Sequence, residues 1–175
     1  MENAGAIILA TRAVLVGPNT IRLTATDELV TAERILIASE AVGLGRAALK
    51  RAAGYANERE VFGRPIGQNQ GIQHPLAKSW MELEAADLMV QKAAWLYDQN
   101  MPCAADANSA KYLAAEACYH ACENAIFTHG GMGYAKEYHV ERYLRESWIP
   151  RLAPVSPQLI LCFIAEKVLG LPKSY

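Results

Sequence analysis

The sequence has no C-x-x-C pair, no excess of charge of either sign and no low-complexity tract. Its four cysteines, Cys103, Cys118, Cys122 and Cys162, fit a reduced, intracellular protein better than a disulfide scaffold. Cys118, His120 and Cys122 are neighbours in sequence, but on a helix the two cysteines share a face that the histidine does not. A metal would need further ligands, which are missing, so buried and unreactive thiols are expected. Seventeen basic residues against 18 acidic ones leave a net charge of -1, which points away from nucleic-acid and membrane-surface partners. No basic stretch opens the chain, so no signal peptide is expected. The apolar run over residues 6–16 contains Arg12 and is shorter than the roughly 20 residues a membrane span takes. The Arg- and Ser-rich character of a transit peptide is also missing. Together these favour the cytoplasm, with the mitochondrial matrix as the alternative.

What is present is a chain of 175 residues, 52% of them apolar, enough for one globular domain with its own core. Residues 1–30 stand apart as a strand or irregular segment. Ile21 to Thr26 alternates like a short half-buried strand, and Gly17-Pro18-Asn19 reads as the turn before it.

From Thr31 to Tyr175 the pattern is almost wholly helical. Thr31 predicts the cap of a helix reaching about Asn57, with Glu33 in its first turn and Ile35, Ile37, Val42, Leu49 and Ala53 among its apolar positions. Phe62 to Gly67 breaks it. A second helix is predicted over Gln70 to Gln99, with Ile72, Leu76, Leu83, Val90, Ala94 and Tyr97 on one stripe. Asn100-Met101-Pro102 ends that helix. A third runs to about Thr128 and lines one face with Ala107, Ala110, Ala114, Ala117, Ala121 and Ala125, small enough to let a neighbouring helix come close. Gly130-Gly131 stops it. A short helix follows over about Lys136 to Ser147. Ser156 then caps a last one, with Pro157 at its first position and Gly170 and Pro172 at its end. Long helices joined by short links fold back on one another. The predicted fold is all-α: an antiparallel up-down helical bundle of four long helices and a short one, with a short non-helical segment before it. No strand is expected between Glu33 and Gln99.

Three segments carry a family resemblance. The first is Glu33-Arg34 through Tyr55-Ala56-Asn57-Glu58-Arg59-Glu60-Val61-Phe62-Gly63, then Pro65-Ile66 and Gln70-Gly71-Ile72-Gln73. The second is Ala110-Lys111 with His129-Gly130-Gly131-Met132-Gly133-Tyr134, and the third is Glu137-Tyr138-His139-Val140-Glu141-Arg142 with Arg145. In order and at these distances they resemble the C-terminal domain of acyl-CoA dehydrogenases and oxidases, over about residues 31–175. The resemblance implies α,β-dehydrogenation of an acyl-CoA thioester, with FAD as the cofactor. A carboxylate takes the α-proton and an electron-transfer flavoprotein receives the electrons. It also implies a homo-oligomer in which a second subunit's bundle reaches the adenosine end of FAD, and a chain lacking the N-terminal and most of the middle domain of such enzymes.

The resemblance also assigns residues. Arg59 and Phe62 match an R-x-x-F-G in which the arginine meets the FAD diphosphate; a planar guanidinium fork suits a diphosphate. The alternative is a solvent-facing arginine and a core phenylalanine. Gln70, with Asn69 beside it, resembles a flavin-contacting glutamine or else caps a helix. Gly130 and Gly131 resemble a backbone approach to the adenosine half of FAD, or else form a helix C-cap; no strand precedes them, so they are no Rossmann fingerprint. Phe127 stands where relatives carry a glutamine. Ser156 and Gln158 match a flavin-contacting Thr-x-Gln, or else form a helix cap and first turn. Thr31 and Arg34 align with positions near the acyl-CoA. Many family members place their base in a Glu-Gly-Thr loop, which here reads Pro154-Val155-Ser156. Proline cannot accept a proton. Other branches put a glutamate on the first bundle helix, where this chain has Glu33. The alternative for Glu33 is an acid serving the helix dipole. At the level of the whole chain, two classes remain: a subunit of a flavin-dependent oxidoreductase, or a non-catalytic helical assembly module without flavin.

Overall fold

The structure is a computed structural model that describes residues 11–17, 20–25 and 27–174, with side chains from Thr31 onward. Two strands come first, β1 (Thr11–Gly17) and β2 (Thr20–Ala25), paired antiparallel from Thr11 opposite Ala25 to Gly17 opposite Thr20. β2 is the strand expected from the alternation after Thr20. Residues 1–10 and the Pro18-Asn19 turn lie outside the described residues.

Three long helices follow: α1 (Asp27–Glu58), α2 (Gln70–Asp98) and α3 (Ala104–His129). Short links make them antiparallel, and α3 packs against both of the others. All six alanines expected to line α3 are buried. Their small side chains set how near the neighbours come. A Cβ added at Gly45 of α1 would lie 3.2 Å from the Cα of Cys118 and 2.6 Å from a Leu83 methyl carbon, so α1 passes α3 at a spacing only glycine permits there.

The core faces differ in detail from the sequence reading. On α1 the buried positions are chiefly alanines, Ala38, Ala41, Ala48, Ala52 and Ala56, together with Ile35 and Val42, while Ala53 is exposed. On α2 they are Ser79, Leu83, Ala86, Val90, Ala93 and Leu96, and Tyr97 turns outward. Alanine has too little hydropathy to mark a core face when larger residues lie beside it. The start of α1 is also earlier than predicted. Thr31 is a turn inside the helix rather than its cap.

The prediction of no strand between Glu33 and Gln99 is wrong. Between α1 and α2 lies a minimal hairpin, β3 (Glu60–Val61) with β4 (Arg64–Pro65). Phe62 at φ 55° and Gly63 at φ 74° form its turn. Two consecutive positive φ values match the right-handed twist of a tight hairpin, so two residues suffice to reverse the chain.

After α3, 3₁₀ turns at Gly130–Tyr134 and Lys136–Tyr138 lead to α4 (Val140–Glu146), α5 (Ile149–Leu152) and α6 (Pro157–Phe163), which continues as one π turn over Ile164–Val168. The predicted fourth helix is thus divided at His139, whose φ is 62°. Ser156 does cap α6, accepting the amide hydrogen of Leu159, with Pro157 at the first position. The segment Val140–Val168 is apolar enough in composition to cross a bilayer. Its helical pieces, however, are 7, 4, 7 and 5 residues long, far from the roughly 20 a span requires.

Candidate functional site

Because the three long helices alternate in direction, the end of α1, the start of α2 and the end of α3 meet at one end of the bundle. His129 ties them. Its ring stacks on Tyr55 of α1 with centroids 4.2 Å apart and meets the edge of Tyr138 at 5.7 Å. Its Nδ1 lies 2.7 Å from the Ala125 carbonyl, which can only accept, so that nitrogen carries the proton.

At this end sit Arg59, Phe62, Asn69, Gln70, Gly130 and Gly131. Arg59 is exposed, and its carbonyl accepts from the Ile66 amide at 2.9 Å, closing the hairpin base. The phenylalanine is no core residue. Phe62 is fully exposed, although its φ of 55° is a costly conformation for a bulky side chain, on the order of 1–3 kcal/mol. A strained backbone presenting a large apolar ring to solvent gains nothing within this chain. Asn69 occupies the cap position of α2 but does not cap with its side chain. Its amide instead donates to the Ile66 carbonyl at 3.0 Å and accepts from Arg64 at 2.7 Å, bracing the loop that holds Arg59. Gln70 is exposed at the first position of α2.

Gly130 ends α3 with φ 59°, so the C-cap reading holds there. Gly131 is different. Its φ is ordinary, and a Cβ built on it meets nothing within 4 Å. The fold itself therefore does not require glycine at 131, whereas a molecule lying against the backbone would. Phe127 and Tyr134 are 71% and 89% exposed near the same turn, so apolar rings, glycine backbone and arginine share one end of the bundle.

Thr31, Glu33, Arg34, Ser156 and Gln158 lie toward the opposite end. Thr31 is buried and lines a cavity of about 400 Å³ with Tyr97, Met101, Pro102 and Cys103 at the α2–α3 link. Glu33 is on another face. It is about five turns from Arg51 and so on the same side of α1. Arg51 reaches outward to the Tyr143 hydroxyl of α4 at 3.0 Å, so that side is turned toward the C-terminal helices. Glu33 is half-buried and makes no hydrogen bond or ion pair among the described residues. It also lies beyond the first turn of a helix that begins at Asp27, where the dipole has little hold on an acid. The structure thus weakens the dipole explanation for this residue.

Near Arg34 is the Pro154-Val155-Ser156 loop, and what holds it is a residue to which the sequence alone assigned no role. Lys111 of α3 is 1% exposed, and its Nζ donates to the Val155 carbonyl at 2.6 Å. Burial pushes its pKa down to about 8, the positive charge of Arg34 pushes the same way, and Glu116 opposes them. Five residues along α3, Glu116 binds Arg151 of α5 through both oxygens at 2.9 and 3.3 Å, and Arg151 also covers the rings of Tyr119 and Trp148. The signal for Lys111 was a charged residue four positions from Ala107 and Ala115, in the middle of the buried face. Gln158 is exposed in the first turn of α6.

Cys162 is half-buried. Cys103, Cys118 and Cys122 are buried, and the hydrogen bond between the Cys118 and Cys122 thiols, reinforced by burial, raises the Cys118 pKa. His120 points away, to Glu82 at 3.1 Å. No group of three metal-ligating side chains is gathered among the described residues.

Comparison with known proteins places the chain in a family. Residues 23–153 match the family described as acyl-CoA dehydrogenase, C-terminal domain. Acyl-CoA dehydrogenase FadE12 of Mycobacterium tuberculosis is 48% identical over 145 residues, which are 82% of this chain and 37% of that protein. The probable acyl-CoA dehydrogenase YngJ of Bacillus subtilis is 45% identical over 78% of this chain and 36% of its own length. Butyryl-CoA dehydrogenase from Megasphaera elsdenii superposes with a TM-score of 0.78 at 32% identity, over 80% of this chain and 37% of the other. The chain therefore spans little more than a third of the length of the curated relatives it matches. By matched sequence and by fold, it belongs to the acyl-CoA dehydrogenase family and corresponds to the C-terminal helical domain.

Proposed function

We propose that this bundle serves the flavin-dependent α,β-dehydrogenation of an acyl-CoA thioester, with Glu33 as the base. The observation that supports the reading is a half-buried carboxylate beyond the first turn of α1 with no partner among the described residues, next to Arg34, whose charge acts on the Lys111 that holds the Pro154–Ser156 loop, where proline leaves no base. Glu33 would take the α-proton onto a carboxylate oxygen. FAD, held by residues such as Arg59 and Gly131, would supply the hydride acceptor. Arg34 and Thr31 belong to the acyl-CoA side of this reading; Thr31, buried at the α2–α3 link, shapes the helix that carries Glu33 rather than reaching outward.

The residues present fit the diphosphate and adenosine ends of FAD. Arg59 supplies a charged fork, Phe62 an exposed ring, and Gly131 an open backbone. These groups lie a full helix length from Glu33. From Glu33 to Glu58 the axis of α1 covers about 38 Å. One dinucleotide does not bridge that distance and still place its ring at Glu33. The two ends are therefore assigned to two flavins, Ser156 and Gln158 meeting one and Arg59, Phe62, Gln70 and Gly131 meeting that of a second copy. A homo-oligomer follows, with an electron-transfer flavoprotein as the partner that removes the electrons. An adenine dinucleotide titrated into the protein should bind weakly at the hairpin end. Arg59→Gln should weaken that binding roughly tenfold, the loss of one charge-assisted contact. Binding that ignores Arg59 would leave the non-catalytic assembly module as the better reading.

A further inference from the structure

Lys111 is the buried charge that the dehydrogenase reading does not use. Its ammonium is enclosed by α3, by α1 through the nearby Arg34, and by the loop whose Val155 carbonyl it grips at 2.6 Å. The charged groups that act on it are Arg34 on α1 and Glu116 on its own helix; Glu116 is already held by both Arg151 contacts. Through that bond Lys111 joins α3 to the loop itself. The Val155 carbonyl lies between Pro154 and Ser156, so fixing it fixes the loop residue that replaces the usual base and the first flavin-facing one together. Ser156 in turn caps α6 and sets the direction of Gln158.

We propose that Lys111 is a positioning residue, which tethers the Ala153–Ser156 loop from inside the bundle and so fixes its place near Arg34 of α1. The proposal rests on the dehydrogenase reading for its purpose, but the tether is a property of this chain alone. A charge-assisted bond to a carbonyl is among the stronger single contacts a loop can have. It also explains why a cation stands on a buried face made mostly of alanines and cysteines, since a loop that only needed covering would be served by leucine there.

The test is amide hydrogen exchange on the full chain. Lys111→Met keeps length and removes the donor, and replacing a buried charge by an apolar side chain is usually tolerated by the fold. The Ala153, Leu159 and Ile160 amides, whose hydrogen bonds flank the loop, should lose protection by roughly tenfold to a hundredfold, while Ala41 and Val90 in the long helices keep theirs. Lys111→Arg, which retains a charged donor, should restore most of the loop's protection. Uniform loss across the loop and the long helices, or no loss in the loop, would overturn the proposal. The parent protein gives a second reading that needs no variant. The Val155 carbonyl carbon resonance should titrate with a midpoint at about 8, as Lys111 loses its proton. A resonance that stays flat through that range would equally overturn it. Glu33→Gln, which probes the base, should leave both measurements unchanged, so the two ideas fail separately.

Discussion

Replacing Lys111 with methionine should change how the stability of the bundle depends on pH, and the size follows from burial. The pKa of Lys111 falls from 10.5 to about 8 in the folded chain. A drop of that size corresponds to about 3 kcal/mol of penalty for keeping the charge inside. The folded pKa lies below the unfolded one, so between these two values the unfolded chain binds more protons and stability rises with pH. The penalty is complete below about pH 8 and disappears toward pH 10.5. At neutral pH the bond to the Val155 carbonyl returns about 1.5–3 kcal/mol, as hydrogen bonds to charged groups do. Lys111→Met should therefore lie within about 1–2 kcal/mol of the parent at pH 7. The parent should then gain on the variant by up to about 3 kcal/mol as pH is raised to 10. Urea unfolding followed by circular dichroism at several pH values gives the difference directly. Groups common to both proteins, such as Tyr119, whose pKa burial raises, cancel in that difference. A parent-minus-variant difference that is flat between pH 7 and 10 would refute the reasoning.

Phe62→Asn should leave stability unchanged or raise it by about 1 kcal/mol, since asparagine suits a positive φ and the phenylalanine ring is fully exposed; a loss beyond about 1 kcal/mol on urea unfolding would show the ring to be packed. Met81, Leu88 and Trp95, spaced seven apart along α2, are 58%, 67% and 57% exposed, so the purified chain should self-associate. Leu88→Glu should shift it toward monomer in sedimentation, and a parent that is monomeric at tens of micromolar would contradict this. The purified chain should also be colourless, because the residues assigned to FAD within one copy lie at opposite ends of α1; one flavin bound per chain, read from visible absorbance, would show that assignment to be wrong.

The helical order of the fold was legible because helix stops are chemically loud. Asn100-Met101-Pro102, Gly130 and Ser156-Pro157 each ended or began a helix where expected. The packing faces were less so, since α1 and α3 meet through alanines and Gly45, and close approach leaves only a weak trace in hydropathy. The hairpin at Phe62-Gly63 escaped because phenylalanine is a poor residue for its turn, and no propensity argument selects it. For the candidate site, the sequence singled out Arg59, Gly130, Gly131 and Glu33. It could not show that they divide between two ends of one long helix, because that depends on where α1 starts and stops. Nor did it give Lys111 a role. A lysine among alanines reads as a helix former until the loop that it holds is folded over it.

The central claim is that Glu33 removes the substrate proton. The direct test joins residues 27–171 to the flavin-holding domains of a full-length family member and follows flavin bleaching by a panel of acyl-CoAs in a stopped-flow instrument. Glutamine at position 33 keeps the shape and hydrogen bonding of glutamate but cannot take up the proton. With flavin still bound, Glu33→Gln should slow the bleaching step by about a hundredfold to ten-thousandfold, the usual range for loss of a general base. Bleaching at the parent rate would place the base elsewhere and contradict the account.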